Sequence, residues 1–262
     1  MIKANYHTHS TYCDGNDSLE QMTLAAIEKG FDTLGFSGHS YTFFDEEYCM
    51  TKENTVRYQQ DIASLKEKYA GKIQLLCGIE QDMYSTEDTG CYDYAIGSAH
   101  YVKKGSRYLA VDNSAQQFMG QINELYDGNC YAFCEDYFSQ ISSLYERTGC
   151  DIIGHFDLVT KFNEGNVLFD ESHPRYREAA ETAATKLIAA DVPFEINTGA
   201  MAKKLRTSPY PATRLCDFIA ANGGRFILSS DCHSKNLLDF GFDEIKNIAD
   251  HRGWSIIYKL LI

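Results

Sequence analysis

The sequence predicts an α/β fold in which strands and helices alternate and the parallel strands close into a (β/α) barrel of about seven strands. Three observations favour this fold. Segments with strand and helix periodicity alternate from end to end, without a Pro/Gly/Ser-rich linker, a low-complexity run or an internal repeat. The 262 residues, 44% of them hydrophobic, suffice for one barrel core. Histidines and carboxylates follow most of the predicted strands, whose carboxyl ends share one face of a barrel. We therefore expect a single domain over residues 1–262.

The first predicted strand, "IKANYHTH", carries two histidines one residue apart. On an extended strand, side chains at i and i+2 point to the same face, so His7 and His9 project together. Two neutral imidazoles side by side suit a metal ion, although an HxH pair alone is equally typical of hydrogen-bonded surface histidines.

The remaining elements follow from the same change between strand and helix periodicity. The first helix, "SLEQMTLAAIEKG", begins with the capping pair Ser18 and Gln21 and ends near Gly30. Next come strand "DTLGFSGH", a helix over about 53 to 69, strands "IQLLCGIE" and "YDYAIGSAH", two helices between about 114 and 148, and strand "CDIIGH". The chain then continues with helix 174–190, strand "VPFEIN", helix 211–222, strand "RFILSS", a helix near 242–251 and the apolar tail "WSIIYKLLI".

Composition narrows the choice of partners and compartment. A net charge of −13 disfavours a nucleic-acid polymer or an anionic membrane as the main partner, because both repel an acidic surface. We find no signal peptide and no run of about 18 apolar residues. Nine cysteines without CxxC pairs favour reduced thiols and a cytoplasmic location. The oligomeric state stays open.

Potential metal ligands end six of the predicted strands. Six of the eight histidines belong to this set, whereas His173 and His251 lie elsewhere and are expected at the surface. With the carboxylates Asp14, Glu80 and Asp231, the predicted metal ligands are His7, His9, Asp14, His39, Glu80, His100, His155, Asp231 and His233. Imidazoles mixed with carboxylates suit Zn, Mn or Fe, and nine ligands suffice for three divalent ions. Such a site carries a net positive charge, which favours a phosphate dianion as substrate.

The order of the motifs resembles one known family. They are "HTHS…DG", "GFSGH", "GIEQD", "YDYAIGSAH", "DIIGHFDL", "EINT" and "SSDCHS". Together, from residue 2 to about 240, they are similar to the polymerase-and-histidinol-phosphatase (PHP) family, in particular the PHP-type histidinol-phosphatases. The resemblance implies one PHP-type domain with a distorted seven-stranded (β/α) barrel, three metal ions, and hydrolysis of a phosphate monoester by a metal-bridging hydroxide.

The resemblance also implies a role for each ligand. One metal would be held by His7, His9, Glu80 and Asp231, a second by Glu80, His100 and His155, and a third by Asp14, His39 and His233. The alternative to Asp14 is Asp17, which is more typical of a carboxylate at a helix N-terminus. The residues that we expect to take part in catalysis are Glu80, Asp231 and His233.

Three positions depart from the family pattern. Gly38 stands where many members have an acidic residue before the histidine, and Thr160 and Ala202 stand where arginines are expected in "DLxRK" and "EINTxGLRK". The lost arginines would have bound phosphate with two hydrogen bonds each. Basic residues nearby could replace them, and the predicted phosphate-binding residues are Lys161, Lys203 and Arg206, with Lys204 as a further candidate.

We therefore predict a metal-dependent phosphatase of a small phosphorylated substrate, with L-histidinol phosphate as the best single candidate. The alternatives are a phosphoesterase acting on nucleoside monophosphates or other small esters, an amidohydrolase-like metal barrel, and a metal-binding module without activity. The chemistry of the predicted ligands does not distinguish the first two.

Overall fold

Short apolar strands form one curled sheet in the computed structural model, which describes residues 3–260. Eight of the ten strands found there are parallel neighbours, in the order β1-β2-β3-β4-β7-β8-β9-β10, and β5 and β6 form a separate antiparallel hairpin. The strands are β1 (Ala4–Asn5), β2 (Thr33–Phe36), β3 (Gln74–Asp82), β4 (Tyr94–Ser98), β5 (Tyr101–Lys104), β6 (Arg107–Ala110), β7 (Ile152–Ile153), β8 (Phe194–Asn197), β9 (Phe226–Ser229) and β10 (Ile256–Ile257).

Helices connect the parallel strands and cover the outside of the sheet. They are α1 (Leu19–Glu28), α2 (Lys52–Lys68), α3 (Ala115–Leu125), α4 (Cys130–Ile141), α5 (Leu144–Thr148), α6 (Pro174–Ile188), α7 (Gly199–Ala202), α8 (Thr213–Ala221) and α9 (Phe242–Arg252). The predicted capping pair of α1 is confirmed, because the Ser18 side chain accepts from the Gln21 backbone and the Gln21 side chain accepts from the Ser18 backbone. Among residues 3–260, no helix combines the length and the apolar character needed to cross a membrane.

The predicted α/β barrel class is confirmed, and the strand count is corrected. The sheet has eight strands instead of seven because the chain after α9 adds β10 beside β9. The β5–β6 hairpin was not predicted, although Gly105 marks its turn with a φ of 61°. Three helices, not two, lie between about 114 and 148. Ile2 of the predicted first strand, and residues 261–262 of the predicted tail, lie outside the described residues.

Pairing continues beyond the formal ends of the strands and places the histidines. Thr8, after β1, forms a parallel bridge with Cys232, after β9, and the His9 N–H donates to the Cys232 carbonyl over 3.0 Å. His39, after β2, forms a parallel bridge with Glu80 in β3. The first and last parts of the barrel therefore meet at the carboxyl ends of the strands, where active sites of such barrels are built.

Tyr94 fills the barrel interior at the opposite end of β4. Its hydroxyl donates to the carbonyl of Tyr6 and, over 3.2 Å, to the carbonyl of Phe36. The ring crosses Gly35 and Gly78, and a Cβ atom at Gly78 would lie 2.2 Å from a ring carbon. The close packing of Tyr94 requires glycine on β2 and on β3 and closes the floor beneath the carboxyl-end face.

Candidate metal centre

The carboxyl-end face gathers all nine side chains that the sequence suggests as metal ligands. Within each of three overlapping groups, one potential ligand atom per residue lies within 4.8 Å of the others. The groups are His9, Asp14, His39 and His233; His7, His9 and Glu80; and His39, Glu80 and His100. The two remaining residues, His155 and Asp231, contact members of these groups.

Glu80 lies at the centre of the cluster and is 1% exposed. Its Oε1 lies 2.9 Å from His155 Nε2 and 3.3 Å from His100 Nε2. Its Oε2 lies 3.1 Å from His7 Nε2 and 2.8 Å from His39 Nδ1. Burial alone would raise the pKa of Glu80, but the neighbouring imidazoles, His39 foremost, hold that pKa well below its usual range. Glu80 is therefore a carboxylate with both oxygens turned toward imidazole nitrogens, as a metal-bridging ligand must be.

Several buried atoms of the cluster have no hydrogen-bond partner among residues 3–260. They include His7 Nε2, His39 Nδ1 and Glu80 Oε2, which lie close together without forming hydrogen bonds. Unpaired buried lone pairs are costly, and several that converge match the arrangement of ligand atoms around a cation. His9 fits the same view: burial and the neighbouring His233 and His39 lower its pKa to about 3, so that it stays in the neutral form that binds metals. The residues present therefore fit a group of divalent metal ions.

Two carboxylates outside the ligand set contact His7 and His100 on the side of each ring that faces away from the cluster. His7 Nδ1 donates to Glu195 Oε1 over 2.6 Å, and His100 Nδ1 lies 3.2 Å from Asp82 Oδ2. In both rings the Nε2 atom then faces the cluster, which is the usual way in which proteins fix a metal-binding tautomer. The sequence reasoning missed Glu195 and Asp82. The signals that could have indicated them are an acidic residue within the short strand β8 and a second acidic residue two positions after Glu80 in β3.

The structure brings Asp14, and not Asp17, to the cluster. Asp14 Oδ2 lies 3.1 Å from His233 Nε2, and its Oδ1 lies 3.6 Å from nitrogens of His9 and His39. Asp17 instead accepts the Lys235 N–H over 2.9 Å and lies 3.2 Å from Lys235 Nζ. Asp17 therefore stabilises the loop after β9 from its place just before α1.

A pocket of about 280 Å³ opens above the cluster. Lys161 and Lys203 line it, as expected for phosphate-binding residues. The prediction for Arg206 is corrected, because its buried guanidinium lies outside the pocket lining. It donates to the Thr160 carbonyl over 2.5 Å and pairs with Glu171 over 3.2 Å, so it connects two loops behind the pocket.

Three carboxylates outside the cluster also line the pocket. They belong to Asp45, Glu47 and Asp112, and Lys161 Nζ pairs with Asp112 Oδ2 over 3.2 Å. The lining of the pocket thus combines the imidazoles and carboxylates of the cluster with two lysines and three further carboxylates. Of the two histidines outside the set, His173 accepts the Arg175 N–H at the start of α6 and His251 is exposed in the last turn of α9.

Comparisons with known proteins agree with this geometry. A model of the PHP domain matches residues 5–199. A Schizosaccharomyces pombe protein named "Probable histidinol-phosphatase" is 25% identical over 269 residues, which cover 94% of this chain and 86% of that protein. The histidinol-phosphatase of Bacillus subtilis is 31% identical over 186 residues, which cover 62% of this chain and 68% of that protein.

A solved structure shares the fold. The crystal structure of histidinol phosphate phosphatase from Lactococcus lactis, complexed with Zn, L-histidinol and phosphate, is 19% identical in sequence. It aligns with a TM-score of 0.71 over 97% of this chain and 95% of that chain.

Proposed function

Because the chain belongs to the PHP domain family, we propose that it is a metal-dependent phosphatase whose substrate is L-histidinol phosphate, which it hydrolyses to L-histidinol and phosphate. The observation that carries the proposal is the convergence of imidazoles and carboxylates around Glu80 at the base of a pocket that two lysines line. A net positive metal site with lysines beside it suits a phosphate dianion. The curated relatives named histidinol-phosphatase support the same activity.

We assign the metal ligands to three divalent ions, Zn, Mn or Fe. The first set is His7, His9, Glu80 and Asp231; the second is Glu80, His100 and His155; the third is Asp14, His39 and His233. Bound metal ions supply Lewis acidity toward phosphate oxygens and a water molecule that is a competent nucleophile near neutral pH. Glu195 and Asp82 hold two of the rings in the tautomer that such ions require.

The side chains around the pocket orient the substrate in this proposal. Lys161 and Lys203 attract the phosphate group. Asp45 and Glu47 attract the alcohol part, which carries a positively charged amine in L-histidinol phosphate. Nucleoside monophosphates, the alternative substrates, bring no such cation to these carboxylates. These carboxylates therefore favour an amino alcohol phosphate over a nucleoside monophosphate as the substrate.

The test is phosphate release by purified protein reloaded with Mn or Zn. L-histidinol phosphate is compared with nucleoside monophosphates and sugar phosphates, and His9→Ala serves as the matched control. We expect a preference for L-histidinol phosphate that His9→Ala abolishes. Hydrolysis of only the other esters would reject this substrate, and bound metal without any turnover would favour a metal-binding module.

We also propose a cytoplasmic location, one domain and no nucleic-acid polymer as partner. All nine cysteines are unpaired and seven of them are buried, as is common in a reducing compartment. The net charge of −13 opposes long polyanions. Limited proteolysis, which would release any separately folded domain, and a nucleic-acid binding assay test the last two points.

A further inference from the structure

The hydroxyl of Tyr210 is a buried donor that no residue between 3 and 260 accepts. Tyr210 is 2% exposed, yet it belongs to the lining of the pocket above the metal centre. Its hydroxyl has no hydrogen-bond partner in this part of the chain. Buried hydroxyl groups are nearly always paired in proteins, so an unpaired one at a pocket indicates a partner that arrives from outside.

The backbone holds Tyr210 in place. The Asn197 N–H donates to the Tyr210 carbonyl over 2.7 Å, and the Tyr210 N–H donates to the Asn197 carbonyl over 3.0 Å. Because Asn197 ends β8, this pair ties Tyr210 to the rigid sheet instead of to a free loop. The ring itself is buried, so the side chains packed around it restrain its orientation.

Tyr210 is also connected, through its neighbours in the fold, to the segments that carry the two lysines of the pocket. Asn197, its backbone partner, is followed directly by α7 and then by Lys203. Arg206, which precedes Tyr210, donates to the Thr160 carbonyl, next to Lys161. Lys161, Lys203 and Tyr210 thus lie on connected segments, and all three line the pocket, with two ammonium groups and one phenol as donors.

No carboxylate among residues 3–260 accepts a hydrogen bond from the phenol, so the protein groups described there do not supply the acceptor. Burial, with the charges of Asp157, Asp112 and Asp231 adding to it, raises the pKa of Tyr210 well above its usual range. The phenol therefore keeps its proton and serves as a donor to an incoming anion.

We propose that the Tyr210 hydroxyl donates a hydrogen bond to the phosphate group of the substrate, beside Lys161 and Lys203. The inference rests on the proposed phosphatase function and adds a substrate-binding residue to it. It also gives the phosphate a donor on a wall where Thr160 and Ala202 offer no cationic side chain.

Tyr210→Phe tests the inference, because it removes one oxygen and keeps the ring. The measurement is the Kd for inorganic phosphate, by calorimetry on metal-loaded protein, together with KM and kcat for L-histidinol phosphate. We expect the Kd for phosphate to rise about 10- to 100-fold, as for the loss of a hydrogen bond to a charged group. KM should rise in parallel.

Tyr176→Phe is the matched control. Tyr176 in α6 is also buried, and its hydroxyl is also unpaired within the described residues, but it is not part of the pocket lining. We expect this variant to bind phosphate like the wild type. Thermal unfolding of both variants checks that each is folded.

The possible outcomes distinguish the role of Tyr210 from the phosphatase activity itself. Equal phosphate affinity and KM in Tyr210→Phe and wild type would overturn the role of Tyr210 and leave the phosphatase intact; a water molecule would then satisfy the hydroxyl. Phosphate binding that depends on Tyr210 without ester hydrolysis would reject the phosphatase and support the residue's role. A wild type with neither phosphate binding nor turnover would overturn both.

Discussion

Glu195 contacts two of the proposed metal ligands without being one of them. Its Oε1 accepts from His7 Nδ1 over 2.6 Å, and its Oε2 accepts from the His155 N–H over 2.9 Å and from Asn197 Nδ2 over 3.0 Å. Every lone pair that Glu195 uses thus faces a donor. An amide in its place would turn an NH2 group toward one of these donors.

We expect Glu195→Gln to weaken metal binding about 10- to 100-fold, as typical for the loss of a partner behind a metal-binding histidine. The measurement is metal content after dialysis against a graded chelator. Glu124→Gln is the matched control, because Glu124 pairs with Arg107 at the surface. Equal metal retention by the two variants would show that Glu195 does not orient His7.

Lys203 and its neighbour Lys204 provide a second comparison at the scale of single residues. Lys203 lines the pocket, and Lys204 does not. We expect Lys203→Gln to raise KM for the phosphate ester about 10-fold, because a charge-assisted hydrogen bond is lost. Lys204→Gln should leave KM unchanged in the same steady-state assay. An equal effect of both changes would mean that only the general charge of the loop matters.

At the scale of single elements, the packing of β2, β3 and β4 depends on two glycines beneath Tyr94. We expect Gly78→Ala to lower the free energy of unfolding by about 1–3 kcal/mol or more, since the new methyl group would overlap the Tyr94 ring. Urea denaturation measures this change.

The opposite result is expected in α3. Gly120 has no atom within 4 Å of an added Cβ, so Gly120→Ala should stabilise the protein by about 0.5–1 kcal/mol through helix propensity. If Gly78→Ala were as stable as Gly120→Ala, the ring of Tyr94 would have to be free to move.

Elements differ in how well the sequence alone predicts them. The strand ends with histidines were predictable, because a period of two places His7 and His9 on one face and parallel strands share one carboxyl-end face. The β5–β6 hairpin was not, because "YVKKGSRYLA" follows a strand directly and lacks the apolar alternation of a buried pair. Arg206 was misassigned because proximity in sequence to Lys203 does not reveal that the side chain turns inward to Thr160 and Glu171.

At the scale of the whole molecule, the candidate metal centre concentrates buried ionisable groups, several atoms of which have no hydrogen-bond partner within residues 3–260. We expect a chelator to lower Tm, because metal ions bind the native state and not the unfolded chain. The loss of stability should be about 2.7 kcal/mol for each ion that had been present at 100 times its Kd. Differential scanning calorimetry before and after chelation, with metal added back, measures the change.

His9→Ala sharpens this measurement. Its Tm should respond less to the chelator than that of the wild type, because one of the ligands is already gone. A Tm that is insensitive to chelation in both proteins would show that the stability of the cluster does not depend on bound metal.

The bridge between Thr8 and Cys232 joins the two ends of the chain, which determines when the site can form during synthesis. His9 and Asp231 are 222 positions apart, and their side chains meet within 3.0 Å. A ribosome that has released only the first half of the chain has produced six of the nine proposed ligands, but not His155, Asp231 or His233. Asp231 and His233 follow strand β9, so the complete centre can form only near the end of synthesis.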